Sequence, residues 1–88
     1  MEHHVSFTAE AQSDMEGLSR HTVKIILDWV QRYLEKSEDP RKRGRAMQDG
    51  LDWIWRYRIG RYQLMAVIRV GEILIMRVDG GKEIKTQD

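Results

Sequence analysis

The chain has 88 residues, of which 41% are hydrophobic and 33% charged. That suits one small globular domain spanning residues 1–88 and leaves no room for a second. It has no cysteine, which excludes a disulfide framework, a thiolate zinc site and a cysteine nucleophile. The net charge of +1 hides an uneven distribution: residues 1–39 sum to −4, residues 40–61 to +5, and residues 62–88 to zero.

Taken in chain order, His4 to Thr8 alternates, with Val5 and Phe7 on one face, and is expected to form a short first strand. Thr8 can cap a helix running to about Gly17. Ser19 can cap a longer helix that reaches about Lys36 and stops before Asp39-Pro40. Its apolar positions Val23, Ile26, Leu27, Val30 and Leu34 follow the 3.6-residue period of a helix lying on a core. Ile25, Trp29 and Tyr33 make a second row. Two readings fit that row: packing on the first helix, or a groove for a partner's amphipathic segment.

Arg41 to Gly50 is expected to be a loop or short turn. Three strands follow: Ile54 to Ile59, Tyr62 to Arg69 and Ile73 to Val78, separated by turn signals at Gly60-Arg61 and Val70-Gly71. The longest unbroken apolar run, Leu64 to Ile68, is far short of the ~20 residues that span a bilayer. The opening Met1-Glu2-His3-His4 has no basic segment leading into an apolar one. A cytoplasmic protein without a membrane partner is therefore expected. The fold class is α+β, with two N-terminal helices packed on a small antiparallel meander that carries an N-terminal edge strand.

The positive middle of the chain holds Arg41, Lys42, Arg43, Arg45, Arg56, Arg58 and Arg61. Arginine binds phosphate through a planar fork and stacks on bases, so this block suits a phosphate-rich or acidic partner. The other reading is a solvated loop that aids solubility. Residues two apart on a strand share a face, so Arg56 and Arg58 point together while Trp55 and Tyr57 point to the core. The pair could straddle adjacent phosphates or stabilise charge developing on one; carboxylates on a neighbouring strand are the other candidate partners. No metal site is expected: His3 and His4 are adjacent, and His21 has no ligand at helical spacing. Nothing in the sequence calls for a small-molecule cofactor.

The stretch from Leu51 to Tyr62, LDWIWRYRIGRY, followed by two apolar strands, resembles the core of RelE-type toxins of bacterial toxin–antitoxin modules. Val5 to Thr8 resembles their opening strand, Ala9 and Ala11 the start of the first helix, and Leu18-Ser19 the entry to the second. Ser37 to Pro40, followed by Gly44 and Ala46, resembles their link into the sheet. The resemblance runs through nearly the whole chain in order and spacing. It implies a toxin of a type II toxin–antitoxin module: a ribosome-dependent endoribonuclease that cuts mRNA in the ribosomal A site and inhibits translation. A cognate antitoxin would be its silencing partner.

By this resemblance Arg56 and Arg58 are catalytic or RNA-binding. Arg41, Lys42, Arg43, Arg45 and Arg61 would add RNA contacts, and Ile25, Trp29 and Tyr33 would meet the antitoxin. Three positions depart from the pattern. Gln63 and Gly81 stand where the family carries Arg, and Lys85 where it carries Tyr; Lys82 restores charge without the fork. Cleavage is therefore expected to be attenuated or absent. Two other functions remain open: a ParE-like toxin directed at DNA gyrase, and a non-catalytic module that binds antitoxin or ribosome.

Overall fold

A computed structural model describes residues 2–80. Gly81, Lys82 and Lys85 lie outside the described residues. Five strands form one mixed sheet in the order β1-β5-β4-β3-β2: β1 His4–Phe7, β2 Gly44–Ala46, β3 Ile54–Ile59, β4 Tyr62–Arg69 and β5 Glu72–Gly80. β1 is an edge strand as expected and pairs parallel with β5, while the other pairings are antiparallel. The two helices, α1 Ala9–Glu16 and α2 Arg20–Val30, come before the main strands. The architecture is α+β.

Local chemistry explains the helix starts. The Thr8 hydroxyl accepts from the Ala11 N–H at 3.1 Å and donates to the Met76 carbonyl at 2.9 Å, so one side chain caps α1 and ties it to β5. Ser19 caps α2 by accepting from the Thr22 N–H at 3.1 Å. At its far end α2 widens into a π-helical segment, Gln31–Glu35, where the Lys36 N–H bonds back to the Gln31 carbonyl.

The core lies between the helices and one sheet face. Ala11, Ile26, Leu34, Leu64, Ala66, Ile73 and Ile75 are fully buried there, with Tyr57 beside them. Each of the larger aliphatic side chains contributes about 1.5–3 kcal/mol by leaving water. Leu27 departs from the helical reading: it is 43% exposed. It lines an apolar groove with Phe7, Met15 and Val23 instead. The row Ile25, Trp29 and Tyr33 does not pack on α1. Ile25 is exposed, and the Trp29 ring meets Tyr33 at 5.1 Å and Tyr57 edge-on at 5.7 Å. α1 lies over β5 instead.

Two features of the sheet go beyond the sequence reading. Gly44–Ala46, expected to be part of a loop, is a strand, because Gly44, Arg45 and Ala46 pair with Tyr57, Arg56 and Trp55 of β3. Three residues with a glycine and an arginine carry too little pattern to be seen as a strand. The second feature is a β-bulge. Met65 pairs with Arg77 but Ala66 with Ile75, leaving Met76 as the extra residue. Without it, strict alternation would put Arg77 and Asp79 on the core face with Ile73 and Ile75. The bulge reverses the alternation: Val78 is buried, and Arg77 and Asp79 are exposed. At the β3–β4 hairpin, Gly60 takes φ 61° as the first residue of a two-residue loop, which suits the strand twist.

Candidate nucleic-acid interface

β3 presents Arg56 and Arg58 on the sheet face opposite the helices, while Tyr57 and Ile59 between and beyond them are buried. β2 adds Arg45, directly opposite Arg56, and β4 adds Gln63, directly opposite Arg58. Arg43, Arg45, Arg56, Tyr57, Arg58 and Gln63 line one concavity of about 320 Å³. A second concavity of about 210 Å³ shares Arg58 and Gln63 and is lined further by Arg61, Asp79 and Gly80. Among the described residues, none of these arginines is ion-paired with a carboxylate; the ion pairs there are Lys24–Asp28 and Arg77–Asp14. Four guanidiniums around one hollow, with no carboxylate paired to them among the described residues, have the chemistry to receive an anion with more than one charged oxygen.

Tyr57 is held firmly. The Tyr57 hydroxyl donates to the Pro40 carbonyl at 2.6 Å. Burial pushes that hydroxyl from its usual 10.0 up to about 12, with Arg41 pulling it down and Asp39 pushing it up. Bound to the Pro40 carbonyl, it stays protonated at neutral pH. Gly44 lies against the Tyr57 ring: a Cβ there would fall 2.5 Å from Cε1. The clamp brings β2, and so Arg43 and Arg45, beside Arg56 and Arg58.

The structure does not gather every basic residue. Arg43, Arg45, Arg56 and Arg58 share the first hollow, and Arg61 lines the second. Arg41 faces a separate cavity with His3, Pro40 and Arg69, its guanidinium 5.7 Å from the Trp55 ring. Lys42 is exposed and lines none of these cavities. Ile25, Trp29 and Tyr33 line a broad hollow of about 670 Å³ on the helix side, together with Arg32 and Lys36. Sequence reasoning missed Asp79, because only the bulge brings it opposite Gln63. Among the described residues, no group of three or more His, Asp or Glu side chains is placed to hold a metal ion. No helix there is long and apolar enough to cross a membrane.

Residues 5–85 match the family described as ParE toxin of the type II toxin–antitoxin system parDE. No curated protein sequence matches the chain. The fold is similar to that of the toxin–antitoxin complex RelBE2 from Mycobacterium tuberculosis, with TM-score 0.84 and 23% identity over 92% of this chain and 93% of that one. It is also similar to the archaeal RelE–RelB complex from Pyrococcus horikoshii OT3, with TM-score 0.69 and 19% identity over 91% of this chain and 96% of that one. The chromosomal ParDE system from P. aeruginosa gives TM-score 0.66 and 14% identity over 92% of this chain and 98% of that one. With a family match covering almost the whole chain and a shared fold, the protein belongs to the RelE/ParE-type toxin family of type II toxin–antitoxin systems.

Proposed function

We propose that this toxin acts on single-stranded RNA, with mRNA in the ribosomal A site as its target, and that its cleavage step is attenuated. The observation that carries the reading is the hollow lined by Arg43, Arg45, Arg56 and Arg58 with no carboxylate partner among the described residues. Guanidiniums there hold backbone phosphates and stabilise the charge that builds on phosphorus during attack. Gln63 supplies a neutral amide where a further arginine would strengthen that field, and Asp79 beside Arg58 and Arg61 offsets part of it. The Tyr57 hydroxyl, engaged by Pro40, is not free to move a proton.

Two of the structures it resembles are a RelE–RelB complex and a ParDE toxin–antitoxin system. By that analogy an antitoxin silences this chain, and the hollow around Ile25, Trp29 and Tyr33 is its proposed contact. The test uses mRNA-programmed ribosomes and primer extension, comparing the native chain with Gln63→Arg. Cuts in A-site codons that strengthen with Gln63→Arg support the reading. Silence from both chains, together with inhibition of gyrase supercoiling, replaces it with a ParE-type action, which the family match favours. Ribosome co-sedimentation without any cut points to a binding module.

A further inference from the structure

Several arginines lean on aromatic rings. The Arg43 Cζ lies 4.1 Å from the Tyr33 centroid, Arg41 5.7 Å from Trp55, Arg61 5.8 Å from Tyr62, and Arg32 5.9 Å from Tyr33. Three of these contacts lie near the outer limit of about 6 Å for such an attraction, and the Arg43–Tyr33 contact is well inside it. Three of these arginines belong to the basic block, none of which is ion-paired among the described residues. Arg77, outside the block, is held by Asp14 instead, at 2.9 Å.

The choice of holder has a consequence for ligand binding. A carboxylate orients a guanidinium by occupying its N–H fork and cancelling its charge. An aromatic face holds the flat surface of the ion and leaves the N–H groups at its rim, and the full charge, available. The Arg43–Tyr33 pair is the closest of the four, and Arg43 lines the arginine hollow. Tyr33 stands on the π-helical end of α2, where Trp29 buttresses it at 5.1 Å. Trp29 in turn packs edge-on against the buried Tyr57 ring. A chain of rings thus runs from the core to one guanidinium at the rim of the hollow.

We infer that Tyr33 is a positioning residue for phosphate binding: its ring holds Arg43 by the flat face and presents the charged edge to a nucleic-acid backbone. This rests on reading the arginine hollow as a phosphate site. The chemistry needs the ring and not the hydroxyl.

The test uses the full chain and a short fluorescein-labelled oligouridylate, with binding followed by anisotropy over a salt series and melting recorded in parallel. Tyr33→Leu keeps apolar bulk against Trp29 and removes the ring face; Tyr33→Phe keeps the ring. Tyr33→Leu is expected to weaken binding by roughly two- to five-fold, and Tyr33→Phe to bind like the native chain. In an Arg43→Ala background, Tyr33→Leu is expected to change nothing further. Equal binding by the native chain and Tyr33→Leu, with Arg43→Ala weakened, overturns the inference and leaves the phosphate site standing. Equal weakening by Phe and Leu, or a Leu effect that persists without Arg43, also overturns it. If the native chain does not bind the oligonucleotide, the phosphate site itself fails and the role of Tyr33 falls with it.

Discussion

Gly44 lies so close to the Tyr57 ring that a Cβ at that position would sit 2.5 Å from Cε1 and 2.9 Å from Cδ1. The ring cannot retreat easily, because its hydroxyl is tied to the Pro40 carbonyl and Trp29 packs on it edge-on. Gly44→Ala is therefore expected to destabilise the fold by about 1–3 kcal/mol through overpacking. It should also displace Arg43 and Arg45. Urea denaturation measures the first effect and oligouridylate binding the second. A variant as stable as the native chain would show that β2 shifts at no cost.

Tyr57→Phe keeps the ring and removes the donor to the buried Pro40 carbonyl, for an expected loss of about 1–3 kcal/mol at neutral pH. The same residue sets an alkaline limit. Below pH 10 the phenol is protonated in the folded and unfolded chains alike, and its contribution is intact. Between pH 10 and about 12 the unfolded chain releases the proton while the folded chain retains it, so stability falls as pH rises. Urea midpoints for the two chains across that range should converge, since the variant lacks this term. Parallel curves would exclude Tyr57 as the source.

Asp14 holds α1 to β5. Its carboxylate accepts from the Arg77 Nε at 2.9 Å and Nη2 at 3.1 Å, and from the Val78 N–H at 2.8 Å. The ion pair with exposed Arg77 contributes little, whereas the backbone N–H is part-buried and needs an acceptor. Asp14→Ala is expected to lose about 1–3 kcal/mol, and Asp14→Asn, which retains an acceptor oxygen, clearly less. Thermal unfolding of the pair separates the two contributions. Equal losses would assign the effect to charge.

Arg56 and Arg58 are exposed, so replacing both by Ala should leave the melting temperature nearly unchanged. Binding to oligouridylate is expected to weaken at least about ten-fold at low salt. The slope of log affinity against log salt should flatten by about 1.4, or about 0.7 for each lost phosphate contact to a single strand. An unchanged slope would remove these two arginines from the interface.

Much of the fold was legible in the residues. The caps Thr8 and Ser19, the alternation of β3 and β4, and the turn at Gly60 are local signals that need no tertiary context. The length, the absence of cysteine, the arginine-rich middle and the shared face of Arg56 and Arg58 were equally plain. Long-range pairing decided the rest. β2 exists because β3 offers it a partner, and that pairing selects Arg43 and Arg45 from the basic block while Arg41 faces another cavity. The exposure of Leu27 and the turn of Trp29 toward Tyr57 depend on where the helices dock, which helical periodicity does not encode. The bulge at Met76 reverses the alternation of β5, burying Val78 and setting Asp79 beside Gln63. A period-2 pattern reports which residues share a face only while the register is unbroken, and the break is a property of two strands together.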